Sequence, residues 1–247
     1  MAKALLQANE VSTHYGDKRA LDRVSLEIFQ GETLALVGPS GSGKSTLARA
    51  LLRLQPLDSG SIYFEDEDWL KPQGSALRKR RARMQMVFQD PLSAFNPRAT
   101  VHDLISEPLR IHGLRRDISE LLQKVGLDPK LGKRGVHEIS GGQRQRVAIA
   151  RALATSPSLI VLDEAVSALD VTVCGAILKL LQEIQEAEDT AYLFITHDLA
   201  VAAQMADHIA VMERGRIVEC RPTRELIAAP QAPVTKALID AVPRVLV

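Results

Sequence analysis

Apolar and polar positions alternate over residues 5–29, most clearly where Val24, Leu26 and Ile28 are separated by Ser25 and Glu27. A period of two puts successive side chains on opposite faces, so the stretch predicts half-exposed antiparallel strands. The next run differs: TLALV at residues 33–37 is apolar throughout and stops at a glycine loop. Such a run predicts a strand covered on both faces, as in a parallel sheet. Short apolar runs at residues 84–88, 159–162, 192–195 and 209–212 alternate with helical patterns, the rhythm of βαβ units.

Strand signals stop between residues 90 and 157. There Asp117 and Glu120 mark a helix start, Ile118, Leu121, Leu122 and Val125 form an apolar stripe, and Gly126 ends it. After Gly215 the pattern predicts a short strand, a helix near residues 223–228, a proline-bearing turn and a last amphipathic piece over 234–241.

Three segments carry the chemistry. GPSGSGKST at residues 38–46 fits the phosphate-cradling pattern G-x-x-x-x-G-K-[ST]. Gly38, Gly41 and Gly43 let the backbone turn tightly and approach an anion, with Pro39, Ser40 and Ser42 between them. The loop then opens a helix, whose unpaired N–H groups and dipole favour negative charge. Lys44 is expected to reach the β and γ phosphates and Ser45 to offer its hydroxyl to Mg²⁺, with Thr46 next in the helix.

LIVLDEAVSALD at residues 159–170 delivers Asp163 and Glu164 to the carboxyl edge of a buried strand, where open α/β sheets place ligands. Asp163 is expected to hold Mg²⁺ through water, and Glu164 to polarise the water that attacks the γ phosphate. ISGGQRQR at residues 139–146 makes a second glycine-rich helix start, with Ser140, Gly141, Gly142 and Gln143 forming another anion site.

Together the three segments resemble the ATPase subunit of an ABC transporter, and the resemblance spans nearly the whole chain. It implies a P-loop α/β fold, a mostly parallel RecA-like sheet with an N-terminal antiparallel β subdomain and an inserted α-helical subdomain. On that reading residues 1–89 and 158–220 form the catalytic core, 90–157 the helical signature subdomain and 221–247 a C-terminal extension. It also implies that Gln89 meets Mg²⁺ and the attacking water, that His197 senses the γ phosphate, and that Tyr15 stacks on adenine. The family usually carries Pro-Thr after the glutamate, where this chain has Ala165 and Val166.

A lysine-bearing loop already holds the triphosphate, so the second anion site is redundant within one chain. The resemblance implies two ATPase domains packed head to tail, with each ATP between the phosphate loop of one and the signature of the other. Asp170 would cross that interface. The single motif set therefore predicts a homo- or heterodimer, attached to transmembrane permease subunits and served indirectly by a substrate-binding protein.

FQDPLSAFNPRATV at residues 88–101 and APVTKALIDAVP at 232–243 are similar to the peptide/nickel branch of bacterial importers. That branch commonly reads His-Pro-Tyr where this chain has Ala232, Pro233 and Val234. The DEAVS variant and the chain's end at Val247 point the expected cargo toward nickel or a metal chelate, with peptide as the other choice. Residues 90–110 are the expected docking surface for the permease. An exporter ATPase remains an alternative.

Composition adjusts the picture. With 46% hydrophobic and 25% charged residues, and 31 basic against 30 acidic side chains, the chain has an ordinary globular make-up and almost no net field. That argues against a nucleic-acid partner, although the run RKRRAR at residues 78–83 keeps a soluble ABC ATPase acting on nucleic acid as a rival. Apolar runs fall short of the ~20 residues a membrane helix needs, so the expected location is peripheral, on the cytoplasmic face of the cell membrane. Cys174 and Cys220 lack metal-ligand spacing and read as reduced thiols.

Overall fold

The computed structural model describes residues 3–16, 18–167 and 169–241, with the side chains of Tyr15 and Lys18 outside the described set. The chain packs as two compact units, Met1–Pro72 with Asp189–Val247 and Gln73–Glu188.

Along the chain, the first unit opens with strands β1 (Ala4–Tyr15) and β2 (Lys18–Phe29), then β3 (Thr33–Val37), helix α1 (Lys44–Leu51) and strands β4 (Ser59–Phe64) and β5 (Glu67–Asp68). The second unit runs through α2 (Gly74–Arg81), β6 (Met84–Val87), α3 (Val101–His112), α4 (Ile118–Lys124), α5 (Gly141–Leu153), β7 (Leu159–Asp163) and α6 (Val171–Glu188). The chain then returns to the first unit with β8 (Ala191–Ile195), α7 (Leu199–Met205), β9 (His208–Glu213), β10 (Arg216–Pro222), α8 (Thr223–Ala228) and α9 (Pro233–Asp240).

In the first unit, β2-β1-β4-β5 form an antiparallel sheet. Val24, Leu26 and Ile28 of β2 are buried and Ser25 and Glu27 exposed, as the alternation requires. A second sheet in this unit orders its strands β10-β9-β3-β8. There β3 pairs in parallel with β8 and with β9, and every residue of β3 and β8 is buried. Leu199 and Ala202 of α7 and Leu226 of α8 pack on Ala35, Val37, Ile209 and Val211.

The final helix joins the same core through Val234, Leu238 and Ile239, so the departure from His-Pro-Tyr at residues 232–234 does not prevent the tail from packing. Pro233 stands in the first turn of α9, where a missing N–H costs nothing.

In the second unit β6 and β7 pair in parallel from Met84–Leu159 to Val87–Leu162, and the remainder is helix and turn. Among the described residues between 90 and 157 the only β pairing is one isolated bridge, Thr100 to Gly135. Local chemistry sets the helix bounds. Thr100 and Asp103 form a reciprocal capping box on α3, and Gly113 at φ +66° closes it. The Asp117 carboxylate accepts the Ser119 N–H at 2.7 Å to start α4, and Gly126 at φ +70° follows its end. Periodicity gave no warning of β4, β5 or α2. The single tryptophan explains part of this: Trp69 is fully buried, donates Nε1–H to the Leu51 carbonyl at 2.7 Å and packs edge-on to Phe64. It ties the end of α1 to β4.

Candidate functional site

In the first unit β3 runs into the loop over residues 38–43, and α1 begins at Lys44. Two glycines are required by their surroundings. Gly38 (φ +151°) would drive a Cβ to 2.1 Å from the Met212 carbonyl oxygen. Gly43 (φ +110°) would place one 2.8 Å from both the Ala20 carbonyl oxygen and Met212 Cε. Pro39, Ser40 and Gly41 are exposed, and a Cβ at Gly41 would meet nothing within 4 Å. Lys44 is 6% exposed and donates from Nζ to the Gly38 and Pro39 carbonyls at 2.8 and 3.0 Å. The ammonium is thus folded back over its own loop. Ser45 and Thr46 are half-buried in the first turn of α1. The Ser42 hydroxyl is buried with no hydrogen-bond partner. An orphaned hydroxyl and a buried cation within one glycine loop fit an incoming polyphosphate.

A bracket holds this loop in place. The Gly215 N–H donates to the Ser42 carbonyl at 2.8 Å, and the Asp22 N–H donates to the Gly215 carbonyl at 2.8 Å. The Asp22 carboxylate, 8% exposed, accepts from Arg19 Nη1 at 2.8 Å and Arg216 Nε at 2.5 Å, and Arg216 Nη2 also contacts it. The Arg216 hydrogen bond, helped by the Arg19 charge, outweighs desolvation and keeps this carboxyl below the usual aspartate range. No sequence motif flagged Asp22, Met212 or Gly215, because their roles arise from packing between distant strands.

At the other end of β8, His197 is exposed just beyond Thr196. Its neighbour Asp198 donates its N–H to the Thr196 hydroxyl at 3.0 Å and caps α7 by accepting from the Ala200 and Val201 N–H groups. The chain is therefore pinned on the residues flanking the histidine. The Tyr15 side chain lies outside the described residues.

In the second unit β7 ends at Asp163, which is buried, and Glu164 follows in the left-handed region at φ +49°. A non-glycine residue held there costs about 1–2 kcal/mol, so the surroundings must enforce it. Gln89, just past β6, donates from Nε2 to the Glu164 carboxylate at 2.9 Å. Ala165 and Val166 are 2% and 4% exposed and fill the turn after Glu164 with apolar bulk.

The signature segment forms the N-terminus of α5. Ser140 Oγ accepts the Gln143 N–H at 3.3 Å, and Gln143 Oε1 accepts the Ser140 N–H at 2.9 Å, a reciprocal cap. The two glycines differ. A Cβ on Gly142 would lie 2.9 Å from Val173 Cγ1, whereas one on Gly141 would meet nothing within 4 Å. Asp170 accepts the Val173 N–H at 3.0 Å and so starts α6. Val173 is thereby fixed from both sides, by the Asp170 cap and by the Gly142 backbone.

A lysine-bearing glycine loop after a buried parallel strand, an Asp-Glu pair ending another, and a capped serine-glycine helix start together define an ABC-type ATPase domain. The profile of the family described as ABC transporter matches residues 21–167, and the chain belongs to that family. It is 48% identical over 232 residues to the glutathione import ATP-binding protein GsiA of Escherichia coli (strain K12), covering 91% of this chain and 37% of GsiA. The chain thus spans little more than a third of that relative. It is 42% identical to the oligopeptide transport ATP-binding protein OppF of Bacillus subtilis (strain 168), covering 98% of this chain and 84% of OppF. Its fold matches a dimeric structure of the ATP-binding cassette MJ0796 in a post-hydrolysis state with ADP and Pi. The TM-score is 0.78 at 29% identity, over 89% of this chain and 99% of that one.

Proposed function

We propose that the chain is the ATP-hydrolysing subunit of a bacterial importer, working as a dimer of ATPase domains on a transmembrane permease. The observation that carries this reading is Glu164, held in a strained backbone conformation with its carboxylate on the Gln89 amide. Strain maintained at a strand end beside a second carboxylate is what a positioned general base requires.

In this reading Lys44 leaves the Gly38 and Pro39 carbonyls for the β and γ phosphates, and residues 38–46 line the triphosphate. Tyr15 stacks on adenine. Glu164 polarises a water whose oxygen attacks the γ phosphorus as the bond to the β–γ bridging oxygen breaks. Help of this kind is worth ~10²–10⁴-fold in rate. His197 donates toward the γ phosphate. Ser45, Asp163 and Gln89 supply the hard oxygen donors that suit Mg²⁺, which when bound offsets phosphate charge.

Ser140, Gly141, Gly142 and Gln143 engage the triphosphate of a second subunit, with Asp170 at the interface. The open space beside Gly141 supports this, since nothing within the chain demands a glycine there. The dimeric, ADP- and Pi-bound state of MJ0796 supports it as well. The cargoes named for these relatives, glutathione and oligopeptide, favour a peptide over nickel. The cytoplasmic membrane face is the matching location, and among the described residues no helix is long and apolar enough to cross a membrane.

The test is steady-state ATP hydrolysis with the assembled permease, comparing wild type with Glu164→Gln. Hydrolysis is expected to fall at least ~10²-fold while ATP still binds and drives dimerisation. An unchanged rate at this subunit's site would refute the assignment of the base.

A further inference from the structure

We propose that α2 and the turn closing α3 form a contact surface for anionic phospholipid headgroups, used directly by this subunit. The proposal goes beyond the transport reading, because it needs neither the permease nor nucleotide.

The surface starts from α2, which buries none of its residues. Its Arg78 and Lys79 are exposed, with no ion pair among the described residues. The segment 109–116, LRIHGLRR, adds Arg110 and Arg115, both exposed; Arg110 shares its charge with Asp103 on the same helix. Between these two cations stand Ile111 at 52% and Leu114 at 41% exposure, two of the few large apolar side chains left in water. The turn is firm: Gly113 lies at φ +66°, and the Leu114 N–H donates to the Leu109 carbonyl at 2.8 Å. The apolar pair is therefore presented by structured backbone.

The two segments are neighbours. Arg83, just after α2, and Arg116, beyond the end of α3, both reach Ser156, which brings the two segments together. Arg116 donates to the Leu153 carbonyl at 2.9 Å and the Ser156 hydroxyl at 3.0 Å, while Arg83 donates to the Ser156 carbonyl at 3.1 Å. The partners of Arg116 are neutral, so they leave its guanidinium charge in place. Of the nearby carboxylates, Glu107 is paired with Arg151 at 2.7 Å, while Asp117, which accepts the Ser119 N–H at 2.7 Å, keeps its charge at the edge of the patch.

The whole chain carries a net charge of only +1, so attraction to an anionic surface must come from a local cluster and not from a basic composition. Exposed aliphatic side chains set among arginines and lysine match a headgroup layer, where cations meet lipid phosphates and apolar tips enter the acyl boundary. Nucleic acid would leave Ile111 and Leu114 without a role, since single strands stack on aromatic rings.

The test is co-sedimentation of the purified full chain with phosphatidylcholine vesicles, with and without about a quarter phosphatidylglycerol, at low and high salt. Binding is expected to anionic vesicles only, and to weaken with salt. Arg78→Glu with Lys79→Glu should lower the apparent affinity at least tenfold, and Ile111→Ser with Leu114→Ser about fivefold. Thermal unfolding and ATP binding, both expected to match wild type, serve as the folding control. The proposal is overturned by absence of binding to anionic vesicles or by variants that bind like wild type. It is equally overturned if a DNA oligonucleotide binds as well as the vesicles and is indifferent to the Ile111 and Leu114 changes.

Discussion

The side-chain amide of Gln89 donates to the Glu164 carboxylate at 2.9 Å, joining residues 75 positions apart. An amide orients the carboxylate without contesting its charge. Gln89→Ala should lower kcat about 5–10-fold, the worth of one hydrogen bond, and leave ATP affinity measured without magnesium unchanged. Gln89→Glu removes the donor and places a like charge there, so kcat should fall at least as far. An unchanged kcat in both variants would show that the contact does not position the base.

Gly141 and Gly142 are adjacent yet answer to different neighbours. Gly142→Ala should cost about 1–3 kcal/mol of stability, because the new Cβ must displace Val173 Cγ1 from 2.9 Å. Gly141→Ala fits the isolated chain and should leave the melting temperature unchanged or slightly raised. Its damage should appear only in ATP-driven dimerisation, read by sizing in a Glu164→Gln background. Equal effects of the two changes on stability would overturn this division.

The Asp22 backbone N–H reaches the phosphate loop through Gly215, whose N–H holds the Ser42 carbonyl at 2.8 Å, and the Asp22 carboxylate fixes the next residue, Arg216. Asp22→Asn should raise the Kd and KM for ATP about 3–10-fold while kcat at saturation stays close to wild type, since the hydrogen bonds lost are remote from the reacting atoms. Its carboxyl pKa is lowered in the fold, chiefly by Arg216. Its stabilising effect is therefore complete above the ordinary aspartate pKa and is lost as the pH falls through the depressed folded value. The stability gap between wild type and Asn should hold steady across neutral pH and close in acid.

Glu219 anchors the last helix. Its buried carboxylate accepts the Ala232 N–H at 2.9 Å and the Gln231 N–H at 3.1 and 3.2 Å. Burial pushes its pKa up, but the Ala232 and Gln231 N–H groups and the Arg221 charge together bring it below the usual glutamate range. Glu219→Ala removes the acceptor of those N–H groups, at about 0.5–1.5 kcal/mol for each hydrogen bond lost. Hydrogen exchange at Gln231 and Ala232 should accelerate, and proteases should cut near residues 229–233 before the rest of the chain. Undiminished protection there would sink this account of how the tail is held.

Much of the fold was legible because its signals are local. The runs at residues 33–37, 159–162 and 192–195 became strands buried on both faces, and Gly126 and the residues flanking Ser140 mark real helix ends. The glycine loop could be read for the same reason, since its turns and its helix start are consecutive in the chain. Helix α2 buries no residue and so shows no apolar stripe from which its bounds could be read. The short β4 and β5 were missed because what fixes them is Trp69 and Phe64 packing under α1, which no periodicity announces.

The amino-acid order alone determined the chemistry available: a lysine and a serine at a glycine turn, an Asp-Glu pair after an apolar run, and a serine-glycine helix start. These depend on spacings of a few residues, which backbone geometry converts directly into position. Tertiary structure alone decided that Gln89 meets Glu164, that Asp22 braces Ser42 through Gly215, and that Gly142 is claimed by Val173 while Gly141 faces open space. Those relations join residues tens to nearly two hundred positions apart, and only packing can set a distance that chain connectivity leaves free.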